Sequence, residues 1–262
     1  MAKVFIGVGH GGKDPGAVGY LKEADVNLTM ALACKDMLEA NGVTVKMSRI
    51  KDENDDLNEE IKECNAFAPD LAIDVHNNAG GGDGFEVLHS INGGKGKTLA
   101  KNIEAEVKKL GQNSRGLKTR KNSSGKDYFG FIRLIKCPAV ICEGVFVDNA
   151  TDVQIVDTIA EQQAFGKACA RGILKTLGVN VSETTEPVKA EPTKTDESFK
   201  VKVSITNLNI RKGPGTTYGT NGVIKPGVYT IVETKSGQGS SKGWGKLKSG
   251  AGWNSLGYAE TL

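Results

Sequence analysis

Apolar residues are packed without alternation in Lys3–Gly9, Leu71–Val75 and Pro138–Val147, the pattern of strands buried on both faces of a sheet. Shorter runs at Val43–Met47 and Gly84–Leu88 read as two further strands. Between these runs the spacing changes. From Glu23 to Ala40 the residues Ala24, Leu28, Ala31, Leu32 and Leu38 recur at helical intervals, and Asn41-Gly42 supplies a stop. Leu57–Ala66 and Thr98–Leu110, closed by Gly111, read as helices, and Asp152–Leu177 is largely helical up to Gly178. Strands alternating with helices over this length predict an α/β domain with a mostly parallel sheet covered by helices on both faces.

The pattern breaks after Val181. The segment up to Ser198 is polar and contains proline, with too little apolar surface to fold, and reads as a linker. From Phe199 to Leu262, short alternating runs such as Lys200–Ile205 and Val228–Glu233 are separated by Gly-Pro-Gly and Pro-Gly turns, which predicts a small all-β barrel or sandwich. The expected organisation is a catalytic domain over 1–180, a linker over 181–198 and a β domain over 199–262. With roughly 100–200 residues usual for one domain, a length of 262 residues suggests a main domain plus a smaller one.

Composition adds exclusions. A net charge of +3 does not call for nucleic acid, although a mildly basic chain suits a polyanionic surface such as a bacterial wall. The five cysteines contain no C-x-x-C pair and read as small buried residues of a reduced protein. No run approaches the about 18 apolar residues of a membrane helix, so no membrane partner is expected. The first residues are too short an apolar run for an export signal. The expectation is a chain made in the cytoplasm that acts elsewhere after release at lysis or export by another route.

Of three histidines, His10 and His76 stand directly after expected buried strands. The carboxyl ends of parallel strands converge on one edge of such a sheet, so these two imidazoles can share a crevice. The loop from Gly9 to Ala17 is glycine-rich but lacks the phosphate-binding patterns G-x-G-x-x-G and G-K-[ST]. Catalytic zinc commonly takes two histidines and a carboxylate, leaving a position open. By spacing alone Glu23, at the start of the first long helix, competes with Asp14 and Asp25 for that third place. It could equally do no more than meet the helix dipole. Glu143, closing an apolar strand run, is either a catalytic carboxylate or a strand-end ion-pair partner. His89 is expected to face solvent or pack locally, and the basic stretch Arg115–Lys126 to be a solvated loop with some scope for substrate contact.

These segments together resemble a known family. Gly9-His10-Gly11-Gly12-Lys13-Asp14-Pro15-Gly16-Ala17, Glu23-Ala24-Asp25-Val26-Asn27-Leu28, Asp74-Val75-His76-Asn77-Asn78-Ala79, Gly84-Phe85-Glu86, Arg115-Gly116-Leu117-Lys118 and Pro138-Ala139-Val140-Ile141-Cys142-Glu143-Gly144 occur in the order found in the zinc-dependent N-acetylmuramoyl-L-alanine amidases called Amidase_3. The resemblance spans about residues 3–178. It implies zinc held by His10, Glu23 and His76, with Glu143 catalytic. It also implies hydrolysis of the bond between N-acetylmuramic acid and L-alanine in bacterial peptidoglycan, for wall lysis by an endolysin or autolysin. Asp74 and Asn77 stand where the family commonly has Ser and Ala.

In the second domain, Leu208-Asn209-Ile210-Arg211-Lys212-Gly213-Pro214, Gly243-Trp244 and Gly252-Trp253 resemble the bacterial SH3-like (SH3b) domain. That resemblance implies binding to wall peptide or its cross-bridge, with Asn254 where an aliphatic residue is usual. Three alternatives compete: a zinc peptidase cutting another wall amide bond, a cysteine peptidase using Cys142 and His89, and a non-catalytic wall-binding protein. Strand alternation turns Cys142 and Glu143 to opposite faces, which counts against the cysteine peptidase.

Overall fold

In a computed structural model, residues 1–180, 198–206, 208–216, 218–235, 237, 240 and 242–262 are described. The chain divides into two compact units, each with its own sheet.

The first unit carries six strands: β1 (Lys3–Val8), β2 (Thr44–Met47), β3 (Leu71–Asn78), β4 (Phe85–His89), β5 (Ser114–Lys118) and β6 (Ala139–Phe146), in the order β2-β1-β3-β6-β4-β5. β1 pairs in parallel with β2 and β3, β3 with β6, and β4 with β5. Only the β4–β6 junction is antiparallel. The helices are α1 (Glu23–Ala40), α2 (Leu57–Phe67), α3 (Gly94–Val107), α4 (Gly130–Leu134) and α5 (Ile159–Leu177).

Both faces of the sheet are covered, as the unbroken apolar runs require. On one face Val4, Ile6, Val8, Ile73, Val75, Val140 and Cys142 pack with Met30 and Leu38 of α1, Leu99 and Ile103 of α3, and Phe165 and Ile173 of α5. On the other, Phe5, Ala72, Leu88 and Ile141 meet Ile61 and Cys64 of α2 and Phe131 and Ile132 of α4. Four of the five cysteines are buried and none is in a disulfide.

Two elements depart from expectation. Residues 114–118 are not loop but edge strand β5, and the short helix α4 was not foreseen. The expected linker lies outside the described residues, apart from Ser198.

The second unit is a seven-stranded sheet, β13-β7-β10-β11-β12-β8-β9, in which every recorded pairing is antiparallel. Its strands are β7 (Phe199–Val203), β8 (Leu208–Arg211), β9 (Thr220–Ile224), β10 (Gly227–Lys235), β11 (Trp244–Leu247), β12 (Trp253–Ser255) and β13 (Ala259–Thr261). Val201, Val203, Leu208, Ile224, Ile231 and Leu247 form its core. One turn of 3-10 helix, Leu256–Tyr258, is its only helical element among the described residues.

Candidate metal centre and active site

β1 and β3 end side by side, with Val8 in register with Val75. His10 follows the first strand and His76 lies near the end of the second, so the two imidazoles meet with ring centroids 5.0 Å apart and planes at 82°. Glu23, the first residue of α1, enters between them. Its Oε2 lies 3.3 Å from His10 Nε2 and its Oε1 lies 3.1 Å from His76 Nδ1. One ligand atom from each of the three residues lies within 4.8 Å of the others. Two imidazole nitrogens and a carboxylate, so placed, are a donor set that suits zinc. The rivals fall elsewhere: Asp14 Oδ2 pairs with His10 Nδ1 at 2.8 Å, on the far side of that ring, and Asp25 pairs with Lys22.

Glu23 is 3 % exposed, so its charge must be matched inside the protein. Burial alone would raise its pKa, but His10, His76 and the Ala17 N–H hold it well below the usual carboxylate range. Ala17 N–H donates to Oε2 and Asn77 N–H to Oε1. His76 lies above the ordinary imidazole value, because Asp74 and Glu23 outweigh the opposing effect of burial. His10 is raised chiefly by its contact with Glu23.

Buried polar side chains fix the surrounding backbone. Arg49, 2 % exposed, donates to the carbonyls of Val8, Gly9 and Ala24. Asn27 donates to Gly9 O, while Asn77 donates to Asn27 and accepts from Val145 N–H. This grip holds His10 at a φ of +63°, a left-handed conformation that costs free energy outside glycine. Gly9 must be glycine for a different reason: any side chain there would collide with the His76 ring.

Glu143 on β6 is in register with His76 of β3 and with Glu86 of β4. Paired residues of neighbouring strands project from the same face, so Glu143 stands beside the imidazole. Burial, opposed by His76 and reinforced by Glu23 and Asp74, pushes its pKa up to about 7. That value suits a group which must both take and give a proton near neutrality. A cleft of about 250 Å³ opens beside the imidazoles, bordered by Asp55, Leu57, Glu60 and Phe129.

The structure thus brings His10, Glu23 and His76 together and sets Glu143 next to them. It does not bring in His89, which is buried and bonds to Ser90 O through Nδ1. Arg115, expected in a solvated loop, lies on β5 with Nε 2.9 Å from Glu86 and its guanidinium against the Phe146 ring. The gripping roles of Arg49, Asn27 and Asn77 were missed. Their only sequence signal is polarity inside otherwise apolar or helical stretches.

Comparison with known proteins gives the same picture. The family model described as Amidase_3, N-acetylmuramoyl-L-alanine amidase, matches residues 4–175. The chain is 30% identical over 213 residues to the sporulation-specific N-acetylmuramoyl-L-alanine amidase of Bacillus subtilis, covering 79% of each sequence. It is also 30% identical to the endolysin of Bacillus phage SPP1, covering 79% of this chain and 76% of that one. Among solved structures, the catalytic domain of CwlV, an N-acetylmuramoyl-L-alanine amidase from Bacillus (Paenibacillus) polymyxa, superposes with a TM-score of 0.62 at 26% identity, covering 69% of this chain and all of that one. With the fold, the order of its motifs and the family match in agreement, the chain belongs to the Amidase_3 family and is an N-acetylmuramoyl-L-alanine amidase.

Proposed function

We propose that this amidase is zinc-dependent, with the metal held by His10, Glu23 and His76, and that Glu143 is its proton-transferring residue. The observation that carries this reading is the convergence of three donor atoms within 4.8 Å, from residues far apart in sequence. What zinc supplies when bound is Lewis acidity, toward the substrate carbonyl and toward water. The chain's own residues do the rest. His10 and His76 must present unprotonated nitrogens, and Glu23 contributes the negative charge that balances the site. Glu143 takes a proton from the attacking water and returns it to the leaving amine of alanine, which requires a carboxyl group balanced between its two forms.

The test is digestion of purified peptidoglycan with and without a chelator. Stems with a free N-terminal alanine appear without the chelator, vanish with it and return on adding zinc. Undiminished release after exhaustive chelation would overturn the metal assignment, and products cut at another amide would favour a zinc peptidase.

The second unit is read as an SH3b-like domain that binds wall peptide or its cross-bridge. Its support is the small antiparallel sheet together with the Leu208–Pro214 and Gly-Trp segments. A hydrolase joined to a wall binder fits wall lysis, as an endolysin or an autolysin, and one similar protein is named an endolysin.

A further inference from the structure

His76 is approached at both ring nitrogens. Nδ1 faces Glu23, while Nε2 lies 3.4 Å from Oδ2 of Asp74, two residues back along β3 and therefore on the same face. His10 is arranged alike, with Asp14 on the nitrogen turned away from Glu23. The two imidazoles differ in what stands behind the aspartate. Asp14 is exposed in its loop, whereas Asp74 is 4 % exposed and its second oxygen, Oδ1, has no hydrogen-bond partner among the described residues.

Glu60 of α2 is 6 % exposed, and its Oε1 also lacks a partner among the described residues. Both oxygens border the same small space over Gly7, where an added methyl group would collide with each of them. Two buried carboxylates so close cannot both carry charge without large cost. Burial, together with the charge of Asp74, pushes the Glu60 carboxyl above the ordinary carboxylate range. One proton held between them gives an O–H that can bridge Glu60 Oε1 and Asp74 Oδ1, the two oxygens left without partners among the described residues.

We propose that Asp74 and Glu60 are positioning residues for the metal site: Asp74 accepts from His76 Nε2–H and so turns Nδ1 toward the metal, and Glu60 holds Asp74 in place from across Gly7. The proposal rests on the reading of His76 as a zinc ligand. A hydrogen bond on the non-ligating nitrogen fixes the tautomer and orientation of a metal-binding imidazole, and loss of such a partner commonly weakens metal binding about 10- to 100-fold. Neither residue undergoes covalent change in this role.

The test uses the full chain and zinc itself. Zinc affinity is measured by competition with a chromophoric chelator for the wild type, Asp74→Ala, Glu60→Leu and Glu60→Gln, with circular dichroism to show that each is folded. Asp74→Ala and Glu60→Leu are expected to bind zinc about 10- to 100-fold more weakly. Glu60→Gln keeps an N–H donor for Asp74 and is expected to stay near the wild type, a rescue that loss of packing alone would not give. In zinc-loaded wild type labelled with ¹⁵N-histidine, the ring proton of His76 is expected on Nε2 and protected from exchange. That measurement needs no variant. A ring proton on Nδ1, or equal zinc affinity in a folded Asp74→Ala protein, would overturn the proposal alone. A wild type that binds no zinc would overturn it together with the reading on which it rests.

Discussion

Glu143 shows how a single residue's role depends on its neighbours. It lies in register with His76 on one side and Glu86 on the other, and burial lifts it to about 7. Glu143→Gln keeps the shape and removes the titratable proton. The expected result is zinc bound one to one as in the wild type, with kcat lower by about 10²- to 10⁴-fold. Metal analysis beside a muropeptide assay checks both halves, and full activity in the folded variant sinks the assignment. At this scale the sequence was partly legible. His10 and His76 could be paired because each follows an apolar run, which marks a strand and hence a sheet edge. Glu23 could be separated from Asp14 and Asp25 only by resemblance, because which carboxylate reaches the imidazoles depends on how the Gly9–Ala17 loop folds back. Arg49 and Asn77 left no pattern, since a side chain that bonds backbone carbonyls or amides needs only the right distance and no recurring spacing.

At the scale of elements, the buried strands and long helices were legible because hydrophobic burial writes itself as runs and periods. β5 was not, since Leu117 is the only large apolar residue in Ser114–Lys118 and the strand lies at the sheet edge. α4, five residues long, is shorter than any periodic signal. Packing between α3 and α5 includes an ionic link: Glu106 accepts from Lys109 and from Arg171. Burial would raise the Glu106 pKa, but the two cations outweigh it and lower the value below 4.5. A carboxyl group depressed in the folded state contributes stability that is present above its unfolded pKa and is lost as pH falls through the folded one. Glu106→Gln should therefore cost about 1–2 kcal/mol at pH 7. The gap to the wild type should close as the pH falls below the ordinary carboxylate range. Urea unfolding at pH 7 and at successively lower pH values measures both points; a gap that does not depend on pH would show that the loss comes from packing.

For the whole molecule, two folded units on one chain predict a separable division of labour. If the second unit binds wall, residues 1–180 alone should cleave soluble muropeptides at the full-length rate yet bind whole walls about 10-fold or more weakly, because a tethered binder raises the local concentration of enzyme at an insoluble substrate. Sedimentation with purified walls compares the two, and equal pulldown would count against the tether. The change of architecture near residue 199 was legible because alternating runs and Gly-Pro turns differ in period from the α/β pattern before them.

The position of β6 has a further consequence. β3 and β4 are consecutive along the chain, yet β6 lies between them and is the last strand of its sheet to be synthesised. Until it arrives, a chain leaving the ribosome has His10, Glu23 and His76 but neither Glu143 nor the strand that joins the two parts of the sheet. If Glu143 is the proton-transferring residue, an amidase ordered in this way stays silent until β6 is made, since bond cleavage must wait for a topological closure that local folding upstream cannot anticipate.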